Sequence, residues 1–327
     1  MPTLKAVVFL VVAYFIYQNF QRAFTQIQEQ GFQFNQIKWM WVAVAGLLYL
    51  LGSLPMGIFW HQILRAMGQD ARLGKSLRAF FIGHMGKYVP GKALVVVLRT
   101  ALVRGPKVDT TVAAVAVFVE TLTMVAVGAV YAAVIIGLLY FDQTWLLILA
   151  VSMAICASVP TFPPLFRKIV VLLRVKKLNP KIEENLQGVD FRVMGIGWFA
   201  DFIGWTLMGA SLLAVFYAIP GTNMAAPLTL FPLMTATVCL AMVAGFVTPI
   251  PGGIGIRELV IMGLLETSFS PATAAVAAVL LRFSWMVSEV LLSIILYGTI
   301  LFQTDTPPPP ESLDSTNTDV SPESESV

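Results

Sequence analysis

Pro249-Ile250-Pro251-Gly252-Gly253-Ile254-Gly255-Ile256-Arg257-Glu258 stands between two long apolar runs, residues 227–247 and 272–302. A helix cannot run through Pro-x-Pro-Gly-Gly, because proline removes backbone donors and glycine favours turns. Inside a bilayer, irregular backbone is tolerated only where protein or a wet cavity satisfies its polar groups. A second break, Gly86-Lys87-Tyr88-Val89-Pro90-Gly91-Lys92, interrupts the first half of the chain. Paired breaks in the two halves of a hydrophobic chain are a sequence pointer to a transport site.

Composition supports that frame. Of 327 residues, 57% are hydrophobic and only 12% charged, and the mean hydropathy is +0.81. A soluble protein carries about 25% charged residues. The sequence therefore predicts an all-α, polytopic membrane bundle over residues 1–303. A segment of Pro, Ser, Thr and acidic residues over 304–327 is too polar to fold. A net charge of +3, without a basic stripe interleaved with aromatics, argues against nucleic acid. Cys156 and Cys239 are isolated in apolar stretches. His61 and His84 lack the companions a zinc site needs. The chain is poor in nucleophile–histidine arrangements. No enzyme activity and no cofactor are expected.

A span needs about 20 apolar residues. Seven segments qualify or nearly so: residues 4–20, 39–60, 110–141, 144–162, 193–219, 227–247 and 272–302. The first lacks a small-residue cleavage site and reads as a span. Residues 65–107 have helical periodicity on both sides of Pro90-Gly91, with apolar runs too short to cross, so they predict a re-entrant or interfacial hairpin. Residues 256–267 form a second short piece after the glycine-rich break; counting it gives eight spans. Nine of the 21 Lys and Arg lie between Arg65 and Lys107, and seven between Arg167 and Arg192. The positive-inside rule makes both stretches cytoplasmic and the N-terminus with them. Seven spans place the C-terminus outside, eight place it inside. Each half also shows a break, then an arginine, then a carboxylate in a long span: Arg99 and Glu120, then Arg257 and Glu289. The spacings differ.

The chemistry concentrates at these breaks. Lys87, Lys92 and Arg99 offer cations beside the first and suit a phosphate at the leaflet surface. At the second, Gly252, Gly253 and Gly255 leave backbone amides unpaired before a helix N-terminus, an anion-binding arrangement. There Arg257 adds a bidentate donor, and Glu258 either clamps it or meets a cation. The bland alternatives are a basic loop facing headgroups and an Arg-Glu pair that neutralises itself. Glu120, Asp201, Arg282 and Glu289 lie well inside spans, where a charge costs at least about 2.5–3.5 kcal/mol unless it faces protein or water. Arg282 and Glu289 share one helix face, which allows pairing through intermediates or with Glu120 and Asp201. Gly195, Gly197, Gly204 and Gly209 read as close-packing positions.

The two breaks together resemble the transmembrane region of the lysylphosphatidylglycerol synthase/flippase family. The resemblance rests on residues 86–92 with Arg99 downstream and on residues 249–258, and the span pattern extends it over residues 5–302. Leu94 stands where many members have a further glycine. Members with synthase activity carry a soluble aminoacyl-transfer domain, which these residues do not contain. The resemblance implies a plasma-membrane flippase for a phospholipid, anionic or aminoacylated, or a lipid-linked sugar. Two other classes fit the residues: a secondary transporter of a small solute, and a non-catalytic membrane partner of a lipid-modifying or glycosyl-transfer enzyme.

Overall fold

The computed structural model describes residues 34–89, 93–139, 144–222, 227–248, 253 and 255–304, with scattered positions between 14 and 31. The expected span at 4–20, the tail from 305, Lys92 and Gly252 lie outside the described residues. Among those described there are eleven α-helices and no strand. In chain order they are α1 (Trp39–Ala66), α2 (Leu73–His84), α3 (Ala93–Val103), α4 (Thr110–Leu139), α5 (Thr144–Ser158) and α6 (Pro163–Leu172). These are followed by α7 (Ile182–Gln187), α8 (Phe191–Ala218), α9 (Pro227–Val247), α10 (Ile256–Leu265) and α11 (Pro271–Thr304). A 3₁₀ turn, Met85–Tyr88, joins α2 to the first break.

Five helices, α1, α4, α8, α9 and α11, are long and apolar enough to cross a bilayer. Each buries only about half of its most apolar window. The rest of their surfaces presents large apolar side chains outward, among them Leu47, Phe118, Leu138, Phe199 and Ile294. Helices apolar on every side belong in lipid, so this is a multi-pass membrane protein. The expected span at 144–162 is helical over Thr144–Ser158 and continues as a 3₁₀ turn to Thr161, which is short for a crossing by itself. Beyond its expected end, Ala150–Thr161 meets Pro163–Leu172 at 71°. Pro163 forces the preceding Phe162 into an extended conformation (φ −66°, ψ 122°) and ends the run. Counting the bent pair as one span gives six.

Helices α1 and α8 form the central seam, with α4, α9 and α11 around them. Trp60, Phe59, Ile63 and Leu64 of α1 pack there with Trp205, Leu212, Val215 and Phe216 of α8, all fully or almost fully buried. Small residues let the seam close. A Cβ on Gly52 would stand 2.8 Å from the Gly204 carbonyl oxygen, and one on Gly204 would stand 2.7 Å from that of Gly52. Gly197 faces Phe59 and Gly209 faces Thr235 in the same way, whereas a Cβ on Gly195 meets nothing within 4 Å. Gly195 is therefore not a packing glycine. Gly204→Leu is expected to destabilise the bundle by about 1–3 kcal/mol, the range for overpacking a filled interface. Gly195→Leu should change the thermal midpoint in mild detergent little.

The two lysine- and arginine-rich stretches meet at one end of the bundle. Asn185 donates to the Met67 carbonyl at 2.7 Å, and Asn179 donates to Asp109 at 3.1 Å. Gly188 lies against Ala66, where any side chain would collide. At the same end Asp70 pairs with Lys107 at 3.1 Å and Arg65 at 2.5 Å. Hydrogen bonds from Lys107 and then Arg65 hold its carboxyl below the usual range. The bridge is therefore present above that range and is lost as pH falls through the lowered value. Asp70 is solvent-exposed, so its weight is small.

Candidate functional site

The first break folds as a helical hairpin. Helices α2 and α3 lie back to back against α1, α4 and α11. Gly86 makes the closest approach: a Cβ there would stand 2.6 Å from the Val95 amide nitrogen and 2.8 Å from the Leu94 carbonyl carbon. Gly83 likewise leaves room for the Arg99 side chain. The glycine on the turn side of the hairpin thus supplies the contact, and Leu94 meets it through backbone alone.

Two cations of the hairpin, Lys87 and Arg99, go to different places. Lys87 pairs with Glu289 of α11 and hydrogen-bonds the Tyr49 hydroxyl of α1 at 3.2 Å. Its ammonium also lies 5.5 Å from the Tyr49 ring centre and 5.3 Å from that of Tyr88. Glu289 accepts from both tyrosine hydroxyls, from Tyr88 at 2.7 Å. Three donors converge on one buried carboxylate, which compensates its desolvation. Tyr49 stacks on Trp285 with ring centres 4.4 Å apart. Trp285 in turn donates to Ser211 at 2.9 Å, and Ser211 donates to the Ala45 carbonyl at 2.7 Å. The ring that receives Lys87 is therefore held by α1, α8 and α11 together.

Arg99 lies elsewhere. It is buried, pairs with Glu120 of α4 at 2.6 Å, stands over the Phe80 ring at 4.1 Å and approaches His84 Nδ1 at 3.3 Å. The expectation that Lys87 and Arg99 act on one phosphate at the surface is corrected by this burial. Arg99 has an internal counter-ion and does not reach the cavity that Lys87 lines.

At the second break the glycines work differently from the expected amide nest. Gly253 and Gly255 have φ of +64° and +84°, conformations that side chains rarely adopt. The Gly255 amide is already taken: it donates to Glu258 Oε2 at 2.7 Å, closing the first turn of α10. That amide is not offered to an anion. Gly253 instead lies directly against Gly245 of α9, where a Cβ on Gly253 would stand 2.8 Å from the Gly245 Cα. A Cβ on Gly245 would stand 2.5 Å from Arg257 Nε, and one on Gly253 would stand 2.8 Å from it. The Arg257 side chain lies across this glycine contact, in space that a side chain at either position would fill. Gly245→Val is expected to displace it and slow the site's function, and, by overpacking a filled contact, to lower stability by about 1–3 kcal/mol, read as the thermal midpoint in mild detergent.

The ion pairs follow a pattern that sequence spacing does not give. Glu258 Oε1 binds Arg282 of α11 at 2.5 Å, not its neighbour Arg257. Glu289 binds Lys87, so Arg282 and Glu289 neither pair with each other nor reach Glu120 or Asp201. Arg257 is left over. No carboxylate pairs with it among the described residues, and its Nε is buried without an acceptor. A cavity of about 40 Å³ lies beside it, lined also by Lys87, Tyr88, Glu258, Arg282 and Trp285. Among the described residues, the three cations and two carboxylates at this place leave one positive charge. Tyr49, Trp285 and Gly245 were not singled out from sequence. The first two sit unremarkably in apolar helices, and Gly245 matters only because Arg257 folds onto it.

The family described as the lysylphosphatidylglycerol synthase TM region matches residues 3–291, which span both breaks and every ion pair described above. The chain belongs to that family. No curated protein matches it at a significant level. The matched stretch covers nearly nine-tenths of the chain and ends just beyond Glu289, so the family's membrane region includes the whole Lys87–Arg257–Glu289 cluster.

Proposed function

We propose that the protein is a lipid flippase-like transporter, without covalent chemistry of its own, that binds the phosphate of a phospholipid or lipid-linked headgroup at Arg257. The observation that carries this reading is the Arg257 guanidinium, which pairs with no carboxylate among the described residues and lies against two glycines at a cavity inside a membrane bundle. It is half-buried, and an anionic ligand would supply the partner that its Nε lacks. The guanidinium fork matches two phosphate oxygens. The family likeness supports a lipid over a soluble anion.

The cavity has room for only about three water molecules, too little for a glycerophosphate headgroup. Access therefore requires the walls to part. Two bridges join them: Lys87–Glu289 ties the hairpin to α11, and Glu258–Arg282 ties α10 to α11. A phosphate on Arg257 competes for Lys87 and Arg282, which loosens both bridges as it binds. The hairpin and α10 then act as re-entrant gates around α11, with acyl tails left in lipid. Under the positive-inside rule the basic end formed by residues 65–107 and 167–192 lies in the cytoplasm of a plasma membrane.

Reconstitution in proteoliposomes with fluorescent anionic, zwitterionic and aminoacylated phospholipids tests the reading. Transbilayer movement that depends on Arg257 is the expected result. No movement of any lipid across that panel, with uptake of a small anion instead, would replace the flippase by a solute transporter.

A further inference from the structure

We propose that Asp201 is a proton-binding site, separate from the Arg257 cavity, through which the bundle responds to a pH gradient. Asp201 lies on α8 in the central seam and is fully buried. Gly197 and Gly204, four residues before it and three after, press on Phe59 and on Gly52 and Met56 of α1. Trp205, one turn later, donates to the Met124 carbonyl of α4 at 3.1 Å. The carboxyl is thereby enclosed between three helices. Neither of its oxygens has a donor among the described residues.

The helices packed against α8 carry few charged and titratable groups. Helix α1 brings Tyr49, His61 and Arg65; α4 brings Glu120 and Tyr131; α9 brings Cys239; α11 brings Arg282, Glu289 and Tyr297. Of these, Glu120 is the one that acts on Asp201 through space. Glu120 is already matched by Arg99, with His84 behind it. An ionised Asp201 would add a second carboxylate to a buried cluster holding one cation. Burying an unpaired carboxylate is so costly that such a group takes up a proton instead. The neutral acid balances the cluster at zero net charge. A sodium ion is a poorer occupant, since a cation of that kind needs several oxygen ligands, and no group of three or more acidic, histidine or cysteine side chains gathers among the described residues.

The site is also placed to feel the transport cycle. Arg99 belongs to the hairpin and Glu120 to α4, so a hairpin movement that strains their pair changes the charge facing Asp201. Proton uptake at Asp201 then favours one hairpin position and release favours the other. The proton site stands on the geometry above; its use as an energy source rests on the headgroup reading.

Infrared difference spectroscopy on the full-length protein in detergent tests the site without any transport. The wild type at neutral pH should show a carboxylic-acid C=O stretch that shifts in heavy water and is missing from Asp201→Asn. In Asp201→Glu, which keeps a carboxyl in the same enclosure, the band should persist at a shifted frequency. This second variant decides the matter if Asp201→Asn does not fold. Absence of the band in wild type, its loss on adding sodium at fixed pH, or an unmoved band in Asp201→Glu would each overturn the site. In proteoliposomes, an imposed pH gradient should raise lipid movement in wild type but not in Asp201→Asn, which keeps its gradient-independent rate. A full gradient response in Asp201→Asn would overturn the coupling. A wild type that shows the acid band but moves no lipid would refute the headgroup reading and leave the proton site intact.

Discussion

Arg257→Gln is expected to reduce lipid movement by about a hundredfold or more while leaving expression and membrane insertion unchanged. One hydrogen bond to a charged group contributes about 1.5–3 kcal/mol, and the guanidinium fork makes two. The backbone should not suffer, because the positive φ of Gly253 and Gly255 and the Glu258 cap on Gly255 hold the turn without Arg257. Removing the uncompensated charge should even stabilise the unliganded protein slightly. Lysine should rescue only part of the rate, since an ammonium cannot present two parallel donors. The companion variant is Glu258→Gln. It releases Arg282 and opens the gate bridge, so it should raise leak and lower thermal stability, a different phenotype from that of Arg257→Gln. If the double neutral variant recovers full activity, Arg257 has a structural role and the phosphate site falls. Rates of lipid movement in proteoliposomes, set beside melting curves of the same preparations, separate these outcomes.

Arg99→Met is expected to destabilise the bundle by about 3–5 kcal/mol, the cost of leaving one partner of a buried ion pair uncompensated. Glu120 is 2% exposed and Arg99 3% exposed, so water cannot take the missing partner's place. Removing both charges, as Arg99→Met with Glu120→Leu, should recover most of the loss, because a buried pair and its apolar replacement are often close in stability. Thermal unfolding in mild detergent is the measurement. A double variant as unstable as the single one would show that Arg99 acts through its stacking on Phe80. The contrast with Arg257 is the useful part. Loss of Arg99 is read first in stability, loss of Arg257 first in transport.

Much of the architecture was legible because a bilayer leaves few choices. Apolar runs at 39–60, 110–141, 193–219, 227–247 and 272–302 all became long helices, since every backbone group there must be satisfied within its own segment. The hairpin around Pro90 and the short helix after Gly255 were also readable, from breakers that no tertiary contact can override. The fourth segment, expected over 144–162, does stop before Pro163, but its helix of 15 residues is short for a span, and the bent Pro163–Leu172 that continues it was not read from the sequence. The apparent repeat shows the limit of spacing arguments. Arg99 and Glu120 do form a pair, but Arg257 and Glu289 do not.

The sequence by itself determined that the chain is a helical membrane protein, where its helices break, and which ionisable groups lie in spans. Those features follow from local backbone chemistry and from the solvent. Only the tertiary structure decided which charges neutralise one another. Arg257 and Glu258 are adjacent, yet Glu258 reaches across to Arg282, while Lys87 crosses 202 positions of sequence to Glu289. Arg257 is left lying across Gly245 and Gly253, which only the fold brings together. Pairing in a low-dielectric interior depends on distance and on which group has been left without a partner. A linear sequence states the charges, but the fold sets the distances between them.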